Sequence, residues 1–229
     1  MKPKLLDLFC GAGGASMGYH RAGFEVEGVD IKSQPHYPFK FYQADALEFP
    51  LEGYDAYHAS PPCQGYSHGV RNCDAKQTPK LIDIIRDRLT ATQKPYVIEN
   101  VKGARYYMRA IPEGYFVLCG TMFEGLRPVR HRLFEVKPFI WAPPHRNCRG
   151  HNKKLAKMLG VNRRMVEVAT VHENIVLWQQ LMGIDWTDDA HELSESIPPA
   201  YTEYIGKYLL EALTKGGDNN GSITYGAKS

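Results

Sequence analysis

A cysteine on a proline turn is the strongest candidate for a reactive group in this chain of 229 residues. Cys63 follows Pro61 and Pro62, directly after a predicted strand, Tyr54–Ala59. Open α/β sheets keep their active sites at the carboxyl ends of parallel strands, and a thiolate placed there is a nucleophile. A single cysteine is more often a small core residue, but a core cysteine seldom follows two prolines. The pattern therefore favours a catalytic nucleophile.

An acidic residue ends another predicted strand, Pro95–Glu99. In a parallel sheet, Glu99 lies at the same edge as Cys63. A carboxyl group whose pKa is raised at such a site can protonate a ring nitrogen or donate a hydrogen bond to it. We therefore expect Glu99 to act as an acid beside the nucleophile.

A glycine-rich loop follows the first predicted strand, Lys4–Phe9. Its sequence Gly-Ala-Gly-Gly, from Gly11 onward, lets the backbone approach a ligand closely, and the following helix offers unpaired N–H groups. Asp30 lies 19 residues after Gly11, where a carboxylate can accept from ribose hydroxyls. The loop lacks the third glycine of a dinucleotide site, which favours a mononucleoside such as S-adenosylmethionine, with Asp45 near its adenine. The alternative is a plain strand-to-helix turn.

Strands that alternate with helices predict a Rossmann-like, doubly wound and mostly parallel α/β sheet of seven strands. The other predicted strands are Glu25–Asp30, Lys40–Gln43, Phe116–Cys119 and Arg132–Val136, the last two antiparallel. The predicted helices are Ala15–Arg21, Pro79–Ala91, Lys153–Leu159, a helix to Met182 that opens with a capping box at Thr170–Glu173, and Pro198–Leu213. Trp178 and Trp186 are expected to cover the sheet or the ligand pocket.

The charge is unevenly distributed along the chain. In total, 28 Lys and Arg stand against 25 Asp and Glu, a net charge of +3. Between Arg127 and Arg164, eleven basic residues stand against one acid, Glu135, so this stretch carries +10 and the rest −7. The asymmetry indicates a polyanion-binding surface on an acidic body, and a merely solvated basic face is an equal alternative.

The composition excludes several classes of protein. Hydrophobic residues make up 43% and charged residues 23%, as in globular domains and unlike disordered chains. A membrane span needs about 18 consecutive apolar residues, and no run in the sequence approaches this length. The N-terminus does not resemble a signal peptide. Five cysteines, an odd number, do not suggest a disulfide framework. We expect a cytoplasmic protein without a membrane partner.

Four motifs, in this order, resemble those of the cytosine-5 DNA methyltransferases, in particular compact phage-type members. They are Asp7–Gly14 (DLFCGAGG), Pro61–Gln64 (PPCQ), Glu99–Val101 (ENV) and Arg130–Arg132 (RHR). The later run Ser196–Gly206 (SIPPAYTEYIG) is similar to the C-terminal motif of the compact members. The resemblance implies a class I S-adenosylmethionine-dependent fold and methyl transfer to carbon 5 of cytosine in DNA, in the cytoplasm of a bacterium or a phage-infected host.

The resemblance also implies roles for individual residues. Cys63 adds to carbon 6 of a cytosine flipped out of the duplex, and Glu99 holds the ring nitrogen and the amine. Arg132, supported by Arg130, lies near the base carbonyl. The implied cofactor-binding residues are Phe9, Gly11, Ala12, Gly13, Asp30, Ile31, Asp45, Ala46, Pro62 and Ser196.

The matched motifs divide the chain into parts. Residues 1–136 form the catalytic and cofactor-binding core, 137–177 a reduced basic target-recognition insert, 178–214 the return to the core, and 215–229 a tail expected to be disordered. We expect a monomer that binds double-stranded DNA, with a short target sequence because the insert is small. The predicted DNA-binding residues are Gln64, Ser67, Arg146, Arg149, Arg163 and Arg164.

Two other functions remain open at this point. An RNA cytosine-5 methyltransferase would share the chemistry, although the Cys-Phe-Thr triplet usual in tRNA-methylating relatives is missing from the sequence. A homologue without activity would bind DNA or regulate a partner, although Cys63, Glu99, Arg130 and Arg132 are all present.

Three residues of the insert are of metal-ligand type: His145, Cys148 and His151. A structural zinc ion needs four ligands, and the fourth would be His131 or Cys119. A DNA-facing loop that happens to hold these residues is favoured, so no metal is predicted from the sequence.

Overall fold

A computed structural model describes residues 1–66, 79–108, 114–125, 127–138, 140, 142–145 and 147–215. Within these ranges, seven strands form one sheet in the order β3-β2-β1-β4-β5-β7-β6. Neighbouring strands are parallel except that β7 runs antiparallel to both β5 and β6. The strands are β1 (Lys4–Leu8), β2 (Glu25–Asp30), β3 (Lys40–Gln43), β4 (Ala56–Ala59), β5 (Tyr96–Asn100), β6 (Tyr115–Leu118) and β7 (Arg132–Lys137). The predicted fold class is confirmed.

Helices cover both faces of the sheet. Leu5 of β1 packs with Tyr19 of α1 and Tyr201 of α6, whereas its neighbour Leu6 packs on the other face with Ile85 of α2. Successive strand residues point to opposite faces, so the central strands are apolar on both. The helices are α1 (Gly14–Ala22), α2 (Ile82–Ala91), α3 (His151–Leu159), α4 (Ile175–Met182), α5 (Ala190–Glu195) and α6 (Pro199–Lys215).

The first and last helices pack against each other at very short range. A Cβ atom on Gly18 of α1 would lie 2.0 Å from Thr202 Oγ1, and one on Gly206 of α6 would lie 2.7 Å from Ala22 Cβ. Thr202 also donates a hydrogen bond to the carbonyl of Ala15, at 2.8 Å. This packing brings the start of α6 next to the loop between β1 and α1, where the predicted ligand site lies.

The basic insert packs on α4 through a small apolar cluster of its own. Its buried members are Leu155, Ala156, Val166, Leu177 and Leu181. Helix α3 turns this apolar face inward and leaves its lysines exposed. The insert is therefore joined to α4 by a shared apolar cluster.

The predicted capping box at Thr170–Glu173 is wrong. Val168–Glu173 forms a 3₁₀ helix, and α4 begins only at Ile175. The reason is Asn174, whose side chain accepts a hydrogen bond from the Leu177 N–H at 3.0 Å and caps α4. Asparagine is one of the strongest N-cap residues, so it outcompetes the threonine upstream.

Two helix ends also differ from the prediction. Helix α2 begins at Ile82 rather than Pro79, and α6 continues to Lys215, where the tail was expected to begin. The remainder of the predicted tail, 216–229, lies outside the described residues. Among the helices described, none combines the length and apolar character needed to cross a membrane.

Candidate active site

The loop between β1 and α1 contains three residues with left-handed backbone. The φ angles are 59° at Phe9, 49° at Gly11 and 83° at Gly13. A phenylalanine in this region is strained, and such strain clusters at ligand sites. A Cβ atom on Gly11 would meet nothing within 4 Å. The loop therefore presents its backbone to open space, where a ligand can approach it closely.

The carboxylate of Asp30 holds this loop from the end of β2. One oxygen accepts from the Gly11 N–H at 3.1 Å and the other from the Lys32 N–H at 3.0 Å. The next residue, Ile31, is 65% exposed, which is unusual for an isoleucine. Exposed Asp45 follows the neighbouring strand β3 at the same edge, beside buried Ala46. The structure therefore brings the predicted ribose- and adenine-binding residues to one edge of the sheet.

The chain around α5 covers the glycine loop from the C-terminal side. A Cβ atom on Gly14 would lie 2.4 Å from the carbonyl oxygen of Ile197 and 3.2 Å from Ser196 Cβ. The indole N–H of Trp186 donates to the carbonyl of Ala12 at 2.7 Å, so Trp186 covers the loop as predicted, while Trp178 is buried. Ser196 thus lies at the loop as predicted, although its hydroxyl donates to the carbonyl of Glu192.

Cys63 lies on a turn that is fastened at both ends. Its carbonyl accepts from the Tyr66 N–H at 3.0 Å, which starts the 3₁₀ helix Gln64–Tyr66 after β4. Before it, the Asn100 side chain of β5 donates to the carbonyl of Pro61 at 2.9 Å. This bond holds the proline turn, including half-buried Pro62 and Cys63, against the strand that carries Glu99.

Glu99 and Arg132 form a nearly buried ion pair in which Arg132 Nε lies 3.0 Å from Glu99 Oε1. Burial raises the pKa of Glu99, and the two cations Arg132 and Arg130 and a hydrogen bond from the Ser60 hydroxyl oppose this rise. The raised pKa is the property that the sequence analysis required of an acid at this position.

The charge of Cys63 depends on the same groups. Burial raises the pKa of its thiol, Arg132 lowers it, and the carboxylates of Glu99 and Glu195 raise it further. Cys63 therefore rests as a thiol at neutral pH and gains nucleophilic character only when its proton is removed. The structure brings three of the predicted catalytic residues, Cys63, Glu99 and Arg132, into one electrostatically coupled group.

Arg130 points into the protein rather than toward the sheet edge. Its guanidinium donates to the carbonyls of Ser194 and Ser196, at 2.6 and 2.7 Å, and burial lowers its pKa to about 9. The hydroxyl of Tyr201 donates to the Arg130 carbonyl at 2.5 Å. Arg130 thus ties the start of β7 to the segment that covers the glycine loop, which agrees with a supporting role behind Arg132.

A buried hydrogen-bond chain behind Glu99 was missed by the sequence analysis. The Tyr19 hydroxyl lies 2.9 Å from His58 Nδ1, and His58 Nε2 lies 2.8 Å from Ser60 Oγ. Burial lowers the pKa of His58 to about 3, so this histidine is neutral. One assignment of donors and acceptors is consistent with all three hydrogen bonds: Tyr19 donates to His58, His58 donates to Ser60, and Ser60 donates to Glu99. The signal in the sequence was a histidine in an otherwise apolar strand.

Four of the six predicted DNA-binding residues are described, and they lie on two exposed surfaces. Gln64 is exposed next to Cys63, and Arg149, Arg163 and Arg164 are exposed on the insert, where Arg163 pairs with Glu167 at 3.3 Å. The other two, Ser67 and Arg146, lie outside the described residues.

His151 does not join the other residues of metal-ligand type in the insert. Its Nε2 donates to the carbonyl of Arg127 at 2.8 Å. His145 and Cys148 instead meet two residues from the ends of the sheet strands, Cys119 and His131. Sequence proximity therefore pointed to the wrong third residue.

Comparisons with known proteins identify the N-terminal part of the chain. Residues 3–107, which contain the glycine loop, Cys63 and Glu99, match the family described as C-5 cytosine-specific DNA methylase. The type II methyltransferase M.FnuDI of Fusobacterium nucleatum is 31% identical over 115 residues. That match covers 44% of this chain and 33% of the relative, so the chain corresponds to about a third of that protein's length.

Solved structures share the fold over almost the whole chain. A DNA modification methyltransferase encoded within prophage Cp of E. coli has a TM-score of 0.56 at 15% identity, covering 93% of this chain and 100% of the other. Dnmt2 of S. pombe and EhMeth of Entamoeba histolytica have TM-scores of 0.55 and 0.57 at 14% identity, each covering 93% of this chain and 99% of the other. At these identities the likeness shows the fold alone.

The sheet order, the single antiparallel strand and these neighbours define the fold as that of a class I S-adenosylmethionine-dependent methyltransferase. Within that class, residues 3–107, which carry the glycine loop, Cys63 and Glu99, are similar to the cytosine-5 DNA methyltransferases. S-Adenosylmethionine, the predicted cofactor, is the methyl donor of this family.

Proposed function

We propose that this chain transfers a methyl group from S-adenosylmethionine to carbon 5 of a cytosine in double-stranded DNA. The observation that carries the proposal is the convergence of Cys63, Glu99 and Arg132 at the carboxyl edge of the sheet, beside an open glycine loop. These are the groups that addition to a pyrimidine ring requires: a nucleophile, an acid and a cation.

The residues around the glycine loop fit the proposed methyl donor. The open space at Gly11 admits an adenosyl group, and exposed Ile31 offers an apolar surface for its adenine. Asp30 keeps unused lone pairs on both carboxylate oxygens for the ribose hydroxyls, and Asp45 lies at the next strand end. S-Adenosylmethionine supplies the electrophilic methyl group that carbon 5 accepts.

Cys63 makes carbon 5 nucleophilic. Carbon 6 of cytosine is electron-poor, so the sulfur of Cys63, once deprotonated, adds there, and the electron pair of the 5,6 double bond moves to give an enamine. After carbon 5 has been methylated, it gives up its proton to water, the double bond re-forms, the ring nitrogen returns its proton to Glu99 and the sulfur leaves as thiolate. The cysteine is thereby regenerated.

Glu99 and Arg132 stabilise the base as the sulfur adds. Glu99, whose pKa is raised by burial, carries the proton that the ring nitrogen takes up, and Arg132 offers a guanidinium to the developing charge. These groups sit at a sheet edge that a stacked base cannot reach. The proposal therefore requires the target cytosine to be flipped out of the duplex.

The basic insert supports DNA as the substrate. Exposed lysines of α3 and Arg149 face solvent on the same small module, whose apolar face is buried against α4. Phosphate neutralisation by such residues supplies most non-specific DNA affinity. The acidic remainder of the chain disfavours non-specific contact elsewhere.

Methyl transfer from tritiated S-adenosylmethionine tests the proposal. We expect label in duplex DNA, recovered as 5-methyldeoxycytidine by nucleoside mass spectrometry, and at least about 100-fold less in tRNA or with Cys63→Ala. Label in tRNA alone would show an RNA methyltransferase. Label in neither substrate, with DNA binding retained, would show a binding protein without activity.

The covalent step has a separate test. In a duplex that contains 5-fluorocytosine, carbon 5 carries no proton to lose after methylation, so the proposed adduct cannot resolve. We expect a denaturant-resistant protein–DNA complex that requires both S-adenosylmethionine and Cys63, and none with Cys63→Ser. A labelled duplex product without any such complex would exclude addition by Cys63 and leave the methyltransferase assignment intact.

A further inference from the structure

We infer that Cys119, His131, His145 and Cys148 form a structural zinc site that fastens the basic insert to the edge of the sheet. The four side chains each turn one ligand atom toward a common point, and these atoms all lie within 4.8 Å of one another. Two cysteines with two histidines are a common ligand set of structural zinc. The inference does not depend on the proposed methyl transfer.

Four of the six distances between the ligand atoms are close to those of a tetrahedral zinc site. Zinc bonds of ordinary length place two sulfurs about 3.8 Å apart, a sulfur and a nitrogen about 3.6 Å apart, and two nitrogens about 3.3 Å apart. Here Cys119 Sγ and Cys148 Sγ are 3.5 Å apart, and His131 Nε2 and His145 Nε2 are 3.2 Å apart. Cys148 Sγ lies 3.7 and 3.0 Å from those two nitrogens. The two remaining distances, from Cys119 Sγ to the histidine nitrogens, are at most 4.8 Å, so a single ion at the centre would draw these groups together by about 1 Å at most.

The fold explains why the sequence alone does not predict this site. Cys119 directly follows β6 and His131 directly precedes β7, so the antiparallel pairing of these two strands brings them together. His145 and Cys148 have the two-residue gap typical of one half of a zinc site. The other two ligands, Cys119 and His131, lie at the ends of strands β6 and β7. Eleven residues separate them in the sequence, a spacing that no short motif describes.

A disulfide explains the cluster less well than zinc. The two sulfurs are 3.5 Å apart, well beyond a bond length of about 2.05 Å. A disulfide would also give no reason for both imidazole nitrogens to point at the same sulfur of Cys148.

The chemistry of the ligands balances with zinc in place. The two thiols each release a proton to water and the two imidazoles bind as neutral bases, so the complete site carries no net charge. Thr121 Oγ1 lies 3.2 Å from Cys148 Sγ, where a hydroxyl donates to a metal-bound thiolate. Four protein ligands leave no position for a substrate, so the ion has a structural role.

The position of His131 gives the site a consequence for the active site. It lies between Arg130, which reaches the segment over the glycine loop, and Arg132, which faces Glu99. A metal bond to His131 fixes the backbone at the start of β7. The same ion fixes the start of the insert through His145 and Cys148.

Zinc content of the full-length protein tests the inference. We expect about one zinc ion per chain after purification without added metal. In Cys148→Ser and in His145→Ala, fewer than about one chain in ten should contain zinc. His145 is a mild site for substitution because its side chain is exposed. His151→Ala and Cys63→Ser are matched controls, because they remove the same residue types outside the cluster and should keep the ion.

Cobalt substitution gives a second measurement on the wild-type chain. Tetrahedral Co²⁺ with two thiolates shows a thiolate-to-metal charge-transfer band and intense red-region d–d bands, and zinc should displace it. If zinc-free wild-type protein shows no such spectrum after Co²⁺ is added, the inference is overturned. A loss of zinc in His151→Ala as large as in His145→Ala would also overturn it. A mass two hydrogens lower, with Cys119 and Cys148 joined in one peptide, would show a disulfide instead.

Discussion

Arg132 Nε lies 3.0 Å from Glu99 Oε1. Arg132 directly precedes Leu133, which pairs with Asn100 where the antiparallel strands β7 and β5 meet. The antiparallel strand is therefore what delivers a cation to the carboxyl edge of an otherwise parallel sheet. Because Arg132 lowers the pKa of both Cys63 and Glu99, it acts on the proposed nucleophile and the proposed acid together.

Replacing this arginine by methionine should slow methyl transfer at neutral pH by about 100-fold or more, since a preorganised charge at the reacting atoms is removed. The pKa of Cys63 should rise further without its cation, so the limb of the pH–rate profile that reports thiol deprotonation should move to higher pH. The measurement is the rate of methyl transfer against pH for Arg132→Met. Arg105→Met, on an exposed 3₁₀ turn, is the control. An unshifted profile in Arg132→Met would remove Arg132 from the electrostatics of the cysteine.

Ser60 is the link between the buried histidine and Glu99. Its hydrogen bond lowers the pKa of Glu99, so Ser60→Ala should raise that pKa and lower kcat, because the carboxyl group also loses its fixed orientation. Ser60→Thr retains the hydroxyl and should restore most of the rate. A purely structural role predicts reduced thermal stability in Ser60→Ala with an unchanged pH–rate profile. We expect the profile to shift instead, with its Glu99 limb at higher pH.

The fold and the first half of the site were predictable because they depend on local pattern. Leu5, Leu6, Val97 and Ile98 sit in apolar runs typical of buried strands, and a glycine loop or a proline turn at a strand end needs only a few neighbouring residues. The carboxyl edge of a parallel sheet then collects such residues whatever the loops between them do.

The remaining features depend on tertiary pairing that no local pattern encodes. In the sequence, His58 is a single polar residue in a predicted strand. Its hydrogen bond to Tyr19 forms only because α1 packs against that strand. Cys119 and His131 become neighbours only through the β6–β7 hairpin. The start of α4 differs from the prediction because two capping signals lie within five residues, and the side chain of Asn174 is the one that caps the helix.

Gly11 and Gly53 are a matched pair for testing the glycine loop as a ligand site. Both have left-handed backbone, with φ of 49° and 88°, and a Cβ atom on either meets nothing of the protein within 4 Å. Alanine at each should cost about 1 kcal/mol of stability through backbone strain. Gly11→Ala alone should also weaken S-adenosylmethionine binding, by about tenfold or more, because its methyl group enters the proposed ligand space. Calorimetric titration of both variants checks this, and equal affinities would place the ligand away from the loop.

Asp7 makes stability fall as pH rises. It is fully buried on β1, and burial raises its pKa from 3.8 to about 7 despite a hydrogen bond from Ser16. The folded state keeps the proton up to about pH 7 whereas the unfolded chain loses it near pH 4, so this group destabilises the fold progressively between those values, by about 4 kcal/mol in full. Asp7→Asn should remove the effect.

Urea unfolding of wild type and Asp7→Asn measures this contribution. The free energy of unfolding of the wild type, relative to the variant, should fall by about 2–3 kcal/mol from pH 5 to pH 8. Taking the difference between the two proteins cancels His58, whose lowered pKa acts in the opposite direction, destabilising the fold as pH falls below about 6.5. Asp87→Asn, an exposed carboxylate on α2, controls for the loss of one charge. A pH-independent difference for Asp7→Asn would show that Asp7 is already ionised in the fold.

Arg149 distinguishes phosphate contact from base reading on the insert. If it contacts a phosphate, Arg149→Ala should weaken binding to any duplex and reduce the slope of log K against log salt by about one, because one fewer counterion is released. Lys94→Ala, an exposed lysine at the amino end of β5, should leave both affinity and slope unchanged because the site lies at the opposite edge. Fluorescence anisotropy on a mixed-sequence duplex at several salt concentrations gives both values. A loss confined to one sequence, with the slope retained, would make Arg149 a base-reading residue, since base contacts carry sequence information and phosphate contacts do not.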